Sequence, residues 1–133
     1  MHGLLPTVRY LILCEDVATE PGPSSQLNIT HLLSQVRSEQ EPPFPFTCRQ
    51  LCVFALMTEC RGAATVRVDV VNADTDDVLF STPTQTVSFP SDPLQLYRLA
   101  FRLRDVTFPA AGLYLFRFVY NETMISEQSL VVR

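Results

Sequence analysis

The 133-residue chain contains no lysine, so all ten basic side chains are arginine, and fourteen acidic side chains outnumber them. The formal net charge is -4 at pH 7. An acidic protein gains little from the release of counterions when it approaches nucleic acid. The composition therefore argues against DNA or RNA as a partner.

Glycine and histidine are also scarce. The four glycines are not clustered, which excludes a glycine-rich phosphate loop. Only His2 and His31 are available as imidazole bases, and no Gly-x-Ser-x-Gly segment is present, so a serine-hydrolase triad is not indicated. The adjacent carboxylates Glu15 and Asp16 are typical of a charged strand edge. The sequence predicts a protein that is not an enzyme and that uses no cofactor.

Long hydrophobic runs are missing. No stretch of eighteen apolar residues exists, so no membrane-spanning helix is expected. The apolar run at 10–14 is bounded by Arg9 and Glu15, and it is too short for the core of a signal peptide. We expect a cytoplasmic location and no membrane partner.

What the chain does contain is apolar residues, at 47%, beside only 18% charged residues. This balance is far from that of disordered proteins, and a chain of this length can bury roughly two-thirds of the surface of its unfolded form. One globular domain over residues 1–133 is the expectation.

Apolar residues recur with the period of two that is typical of strands. Tyr97, Leu99, Phe101 and Leu103 alternate with arginines, and the valines at 66–70 alternate with polar residues. Three segments are apolar on both faces, at 8–14, 51–57 and 113–120. Further strands are predicted at 27–36, 78–81, 86–89 and 124–132. With connections that contain proline and glycine, this pattern predicts an all-β, two-sheet antiparallel sandwich of about eight or nine strands, similar to immunoglobulin domains.

The four cysteines are Cys14, Cys48, Cys52 and Cys60. Without a signal peptide we favour reduced, buried thiols over two disulfides or a metal site. Cys48 and Cys52 should share one face of a strand about 13 Å apart, which is too far for one zinc ion without an intervening turn.

An oxygen-rich segment at 72–77 contains the carboxylates of Asp74, Asp76 and Asp77. Calcium takes six to eight oxygen ligands, so these three are weak candidates for a metal site. Aspartate and asparagine are also common in turns, and we favour a hairpin connection here.

The segment at 38–46 combines three prolines with Phe44 and Phe46. Prolines favour an extended path, and the two rings offer large apolar areas. We favour packing of this segment on its own sheet over docking on a neighbouring protein.

Strands that are apolar on both faces need a covering, which a partner protein or a second copy could supply. We therefore expect an uncharacterised non-enzymatic binding or assembly module that acts through a sheet face or a strand edge. The candidate contact residues are Phe44, Phe46, Tyr114, Phe116 and Phe118. The alternative is a sandwich that binds calcium or a small ligand at 72–77.

Two motifs give the chain a resemblance to known proteins. The opening HGLLPTVRY followed by CEDV, at 2–10 and 14–17, resembles a family of small bacterial proteins described only as a domain of unknown function. The FPAAGLY segment at 108–114 is similar to the element before a hairpin in that family and, more loosely, to the last hairpin of immunoglobulin-like sandwiches. The resemblance implies a bacterial β-domain and transfers no catalytic residue.

Overall fold

The computed structural model describes residues 5–19, 27–89, 91–92 and 94–133, which form an all-β protein. The described residues include no helix long and apolar enough to cross a membrane. Ten strands follow one another along the chain: β1 Thr7–Thr19, β2 Leu27–Leu32, β3 Gln35–Val36, β4 Phe46–Thr58, β5 Ala63–Asn72, β6 Val78–Ser81, β7 Gln85–Ser88, β8 Tyr97–Phe108, β9 Gly112–Tyr120 and β10 Thr123–Val132.

The strands form two sheets. The first sheet has the order β2-β1-β4-β8, and the second has the order β3-β10-β9-β5-β6, with β7 also paired to β5. Every pairing is antiparallel except that of β3 with β10. The all-β sandwich expected from the alternation is confirmed.

One apolar core joins the sheets. Alternate residues of β4 point to it from the first sheet, and alternate residues of β9 point to it from the second. The rings of Phe101 and Phe118 meet across this core with centroids 5.8 Å apart. Side chains of these two strands that are at most 1% exposed include Leu51, Val53, Ala55, Met57, Tyr114, Phe116 and Phe118.

The chain between residues 27 and 36 differs from the single strand predicted for it. It forms β2 at the edge of the first sheet and β3 at the edge of the second, so the chain crosses from one sheet to the other at 33–34. The Leu33 N–H donates to the Leu13 carbonyl oxygen, and the Val131 N–H donates to the Ser34 carbonyl oxygen. These two bonds tie the crossover to both sheets.

The FPAAGLY segment makes the connection between β8 and β9. The Tyr114 hydroxyl donates to the carbonyl oxygen of Ala110 at 2.8 Å. A tyrosine that bonds to the backbone a few residues upstream is the tyrosine corner of immunoglobulin-like sandwiches. This bond supports the expected similarity to that architecture.

The outer faces of the two sheets differ in character. The second sheet carries ion pairs, in which Arg67 binds Asp69 and Glu122 while Arg117 binds Asp76 and Glu127. The first sheet carries a small apolar cluster, whose buried members are Cys14, Val17, Cys52 and Phe54, beside the pairs of Arg102 with Asp16 and of His31 with Glu15. Both sheets therefore present paired polar groups, and the first adds an apolar cluster to them.

Candidate binding site at an open edge of the sandwich

One side of the sandwich lacks part of its edge strands. β4 pairs with β1 from Thr7 to Cys14, but on its other side β1 pairs with β2 only from Cys14 onward. Likewise β9 pairs with β10 over nearly its whole length, whereas β3 pairs only with Val131 and Val132. Within the described part of the chain, the first halves of β1 and β10 have no ladder partner on that side, and the two strands contact each other across the gap between the sheets. We call these two neighbouring open edges, residues 8–13 and 124–130, the seam.

A cleft of about 400 Å³ lies at the seam, where β1, the crossover and β10 meet. Its lining, as far as the structure describes it, holds no charged side chain and comprises Leu11, Ile12, Leu13, Leu32, Leu33, Ser34, Gln35, Gln128, Ser129 and Val131. An apolar cleft with a few polar groups is the usual form of a ligand site. Because two backbone edges border this one, an extended chain is the ligand shape that fits it best.

Gln128 bridges the two sheets across the seam. It lies opposite Phe116 on β9, whose side chain is in the core, so Gln128 occupies an inward-facing position of β10. Its Nε2 donates to the carbonyl oxygen of Leu11 at 3.1 Å, and its Oε1 accepts the Ser129 N–H at 3.2 Å. A polar side chain thus stands where the alternation calls for an apolar one.

Two large apolar side chains are exposed beside the open edge of β1. Leu32 is 71% exposed and lies opposite Cys14, and Tyr10 is 58% exposed and lies opposite Leu56. Leu32 also lines the cleft. Burial of such side chains is the main source of binding free energy at protein surfaces, so this edge is the best candidate for a contact.

Comparison with protein families gives one match. A family model described as "Family of unknown function (DUF6941)" matches residues 9–133. The chain belongs to this family. No curated protein matches the sequence. Membership in DUF6941 confirms the resemblance to a family of unknown function, and the match includes the closing motif and residues 14–17 of the opening one. Residues 2–8 precede the match, and residues 2–4 also lie outside the described residues.

The aromatic residues predicted to contact a partner are placed differently in this DUF6941 chain. Tyr114, Phe116 and Phe118 are buried between the sheets, where their own chain covers them. Phe44 and Phe46 are half-buried and pack against the same core, and the Phe46 ring stacks on Phe108 at 6.4 Å. Within the 38–46 segment, the side chains of Phe44 and Phe46 therefore pack on their own molecule. These five side chains stabilise the fold and offer little contact surface.

The acidic loop between β5 and β6 uses its polar groups within the chain. The Asn72 Oδ1 accepts the N–H groups of Asp74 at 2.8 Å and Thr75 at 3.3 Å. Asp76 binds Arg117 at 3.1 Å. The hairpin connection is confirmed, and among the described residues no group of three or more His, Cys, Asp or Glu side chains is arranged to hold a metal ion. Asp74, Asp76 and Asp77 therefore gain no support as ligands.

All four cysteines are free thiols, and three of them are buried. Burial raises the pKa of each thiol, and for Cys52 burial and the neighbouring Cys14 raise the pKa to about 12. Cys48 and Cys52 do not share a face as predicted: Cys48 packs on the main core, and Cys52 belongs to the outer cluster. The regular pairing of β4 with β8 is interrupted between Cys48 and Gln50, which accounts for the difference.

Proposed function

We propose that this protein is a non-enzymatic binding module that receives an extended segment of a partner protein along the seam. The observation that carries the proposal is the open edge of β1 beside an uncharged cleft. Unpaired strand edges are sites at which other chains add by backbone hydrogen bonds. In most sandwiches such an edge is covered or protected by charge. Among residues 8–13 only Arg9 is charged, and the exposed side chains of Leu32 and Tyr10 flank the edge.

The partner segment would continue the line that β2 begins. β2 runs antiparallel to β1 as far as the pair of Leu32 with Cys14, and then the chain leaves for the second sheet. The carbonyl oxygens of Leu11 and Leu13 both point away from β4, since Leu13 accepts from Leu33 and Leu11 accepts from Gln128. The crossover already occupies the Leu13 carbonyl oxygen, so a strand beside residues 8–12 would bond to the carbonyl oxygen of Leu11 in place of the Gln128 amide.

We also propose a location in the bacterial cytoplasm. The support is chemical, because Cys14 and Cys52 lie directly opposite each other and both are free thiols. A reducing compartment keeps adjacent thiols in that state, whereas secreted domains tend to oxidise them. Mass spectrometry of the protein purified from its own cells under thiol-blocking conditions would test this: four blocked thiols are expected, and a disulfide between these two would contradict it.

A library of random decapeptides displayed on phage tests the binding function. We expect the purified protein to enrich peptides that bind the wild type and lose at least tenfold in affinity on Leu32→Asp, because a carboxylate would then face the apolar side chains of the segment. Val78→Asp is the matched control, since Val78 is 60% exposed on β6 at the far edge of the second sheet. Failure to enrich any peptide, or enrichment of peptides that are indifferent to Leu32→Asp, overturns the proposal.

A second copy of the chain is the competing occupant. Light scattering over a wide concentration range separates the two cases. A monomer at all concentrations leaves the seam available to a different protein, whereas a dimer that Leu32→Asp dissociates would assign the seam to self-association.

A further inference from the structure

The seam contains one side chain that imitates the backbone of a strand. We infer that the Gln128 amide occupies the position of an incoming backbone N–H, and that the segment it stands in for is uncharged. This inference rests on the proposed function. It adds the chemistry of the partner segment, and it names the residue whose side chain takes the segment's hydrogen bond when the segment is absent.

The position of Gln128 within β10 is the first step. The next inward-facing residue, Leu130, pairs with Tyr114 and is fully buried, as is Val132 after it. Ser126 precedes Gln128 and lies opposite Phe118. Two successive polar residues therefore interrupt the apolar alternation of β10 where the sandwich is open. Departures from a local pattern of this kind are expected where function requires them.

The hydrogen bond of Gln128 is the second step. In a ladder, the carbonyl oxygen of Leu11 would accept an N–H from a neighbouring strand, and here it accepts the side-chain N–H of Gln128. A buried or half-buried carbonyl without a donor is unfavourable, so the amide stabilises the empty edge. An arriving strand supplies its own N–H and displaces that amide, which can then bond to water at the exposed surface.

The charge of the cleft is the third step. Its described lining offers leucine, isoleucine and valine side chains together with two serines and two glutamines. A charged side chain pressed into it would lose its hydration without meeting an opposite charge, which is unfavourable. Serine and glutamine can still bond to uncharged polar groups. The segment that fits is therefore extended, with apolar or uncharged polar side chains toward the cleft.

The chain offers a matched control for the placeholder role. The Nε2 of Gln50 donates to the carbonyl oxygen of Glu15 at 3.2 Å, so a second glutamine also bonds to a carbonyl of β1. Gln50 lies outside the lining of the cleft. Replacing Gln50 by alanine tests how the loss of such a bond away from the cleft changes peptide affinity. Replacing Gln128 tests the same loss at the seam.

The experiment measures the dissociation constants of the decapeptides selected above by calorimetry. We expect Gln128→Ala to bind them about fivefold more tightly, because the peptide no longer has to displace the Gln128 amide from the Leu11 carbonyl oxygen. About fivefold corresponds to the net free energy of one hydrogen bond. Gln128→Asn, whose amide is too short to reach Leu11, should behave like Gln128→Ala, and Gln50→Ala should bind as the wild type does. Versions of the peptides with glutamate or lysine at the residues that face the cleft should bind at least tenfold more weakly. Thermal melting confirms that each variant is folded.

The outcomes separate this inference from the proposed function. Peptides that bind at the seam but bind Gln128→Ala equally or more weakly overturn the placeholder role. Peptides that tolerate charge at the cleft-facing residues overturn the selectivity. If no peptide depends on Leu32, the proposed function fails, and this inference fails with it.

Discussion

Cys14 and Cys52 lie directly opposite each other on β1 and β4, and the Cys14 thiol donates to the carbonyl oxygen of Cys52 with an Sγ to O distance of 3.7 Å. Both side chains are fully buried in the apolar cluster of the first sheet. Their burial disfavours the thiolate, which is the reactive form of cysteine. The two residues are therefore packing groups whose chemistry is suppressed by their surroundings.

We expect the thiols to react poorly in the folded protein. At pH 8 a thiol with a pKa of about 12, such as that of Cys52, is ionised in roughly one molecule in ten thousand. Titration with a coloured disulfide reagent should modify at most the half-buried Cys48 within minutes, and all four thiols after unfolding in guanidinium. Rapid native modification of two or more thiols would contradict the buried placement.

The same pKa predicts how stability changes in alkali. The folded state holds the Cys52 proton up to a pH of about 12, whereas the unfolded state releases it near 9.0. The folded state thus binds more protons in this window, so the free energy of unfolding falls as the pH rises from 9 to 12. This single group contributes about 1.4 kcal/mol per pH unit. Urea unfolding at several pH values should show that the free energy of unfolding falls less steeply with pH for Cys52→Ala than for the wild type. The same slope in both proteins would refute the prediction.

Phe116 should stabilise the fold because it is fully buried between the sheets. Phe116→Ala is expected to lower the free energy of unfolding by about 3–5 kcal/mol, because it leaves a cavity in the core. Leu113→Ala, on the same strand but at a side chain that is 41% exposed, should cost less than about 1 kcal/mol. Urea unfolding measures both changes. A well-folded Phe116→Ala variant with unchanged stability would return this residue to the list of surface contacts.

Calcium should leave the protein unchanged. A ligand that binds the native state must raise the melting temperature, and the loop at 72–77 already uses Asn72 and Asp76 within the chain. We expect the same melting temperature in millimolar calcium and in a chelator, while Asn72→Ala lowers the free energy of unfolding by about 1 kcal/mol through the loss of its turn bonds. A calcium-dependent rise that Asp74→Asn or Asp77→Asn abolishes would restore the metal site.

The strands that were clearest in the sequence were those with a simple period. The alternation of Tyr97, Leu99, Phe101 and Leu103 predicted β8, and the run of apolar residues at 113–120 predicted β9, because side-chain period and β propensity are local properties. The segment at 27–36 contains no glycine or proline, so no local sequence signal predicted its division into β2 and β3. The crossover at 33–34 is fixed by hydrogen bonds to Leu13 and Val131, which are distant in the sequence.

The candidate site depends on relationships between distant parts of the chain. Gln128 and Leu11 are 117 residues apart, and Cys14 and Cys52 are 38 apart. Their meeting follows from sheet order and register, which composition and periodicity do not determine. One signal was available locally, namely the polar Ser126 and Gln128 at positions that alternate with the apolar Leu130 and Val132 of the last strand. The large aromatic residues were predicted as partner contacts instead, because bulky aromatic side chains are common both in cores and at interfaces.

The outer strand β8 bears on how far any assembly through this protein can extend. It is the edge of the first sheet opposite the seam, and its exposed residues include Arg98, Arg102 and Arg104. If β8 of one molecule added to the seam of the next, it would bring cationic side chains against an uncharged cleft. Repetition of that contact, which would build a fibre, is therefore disfavoured. The two edges of the sheet are unlike, so an assembly formed through the proposed seam would stop growing once the seam is filled, with a fixed stoichiometry.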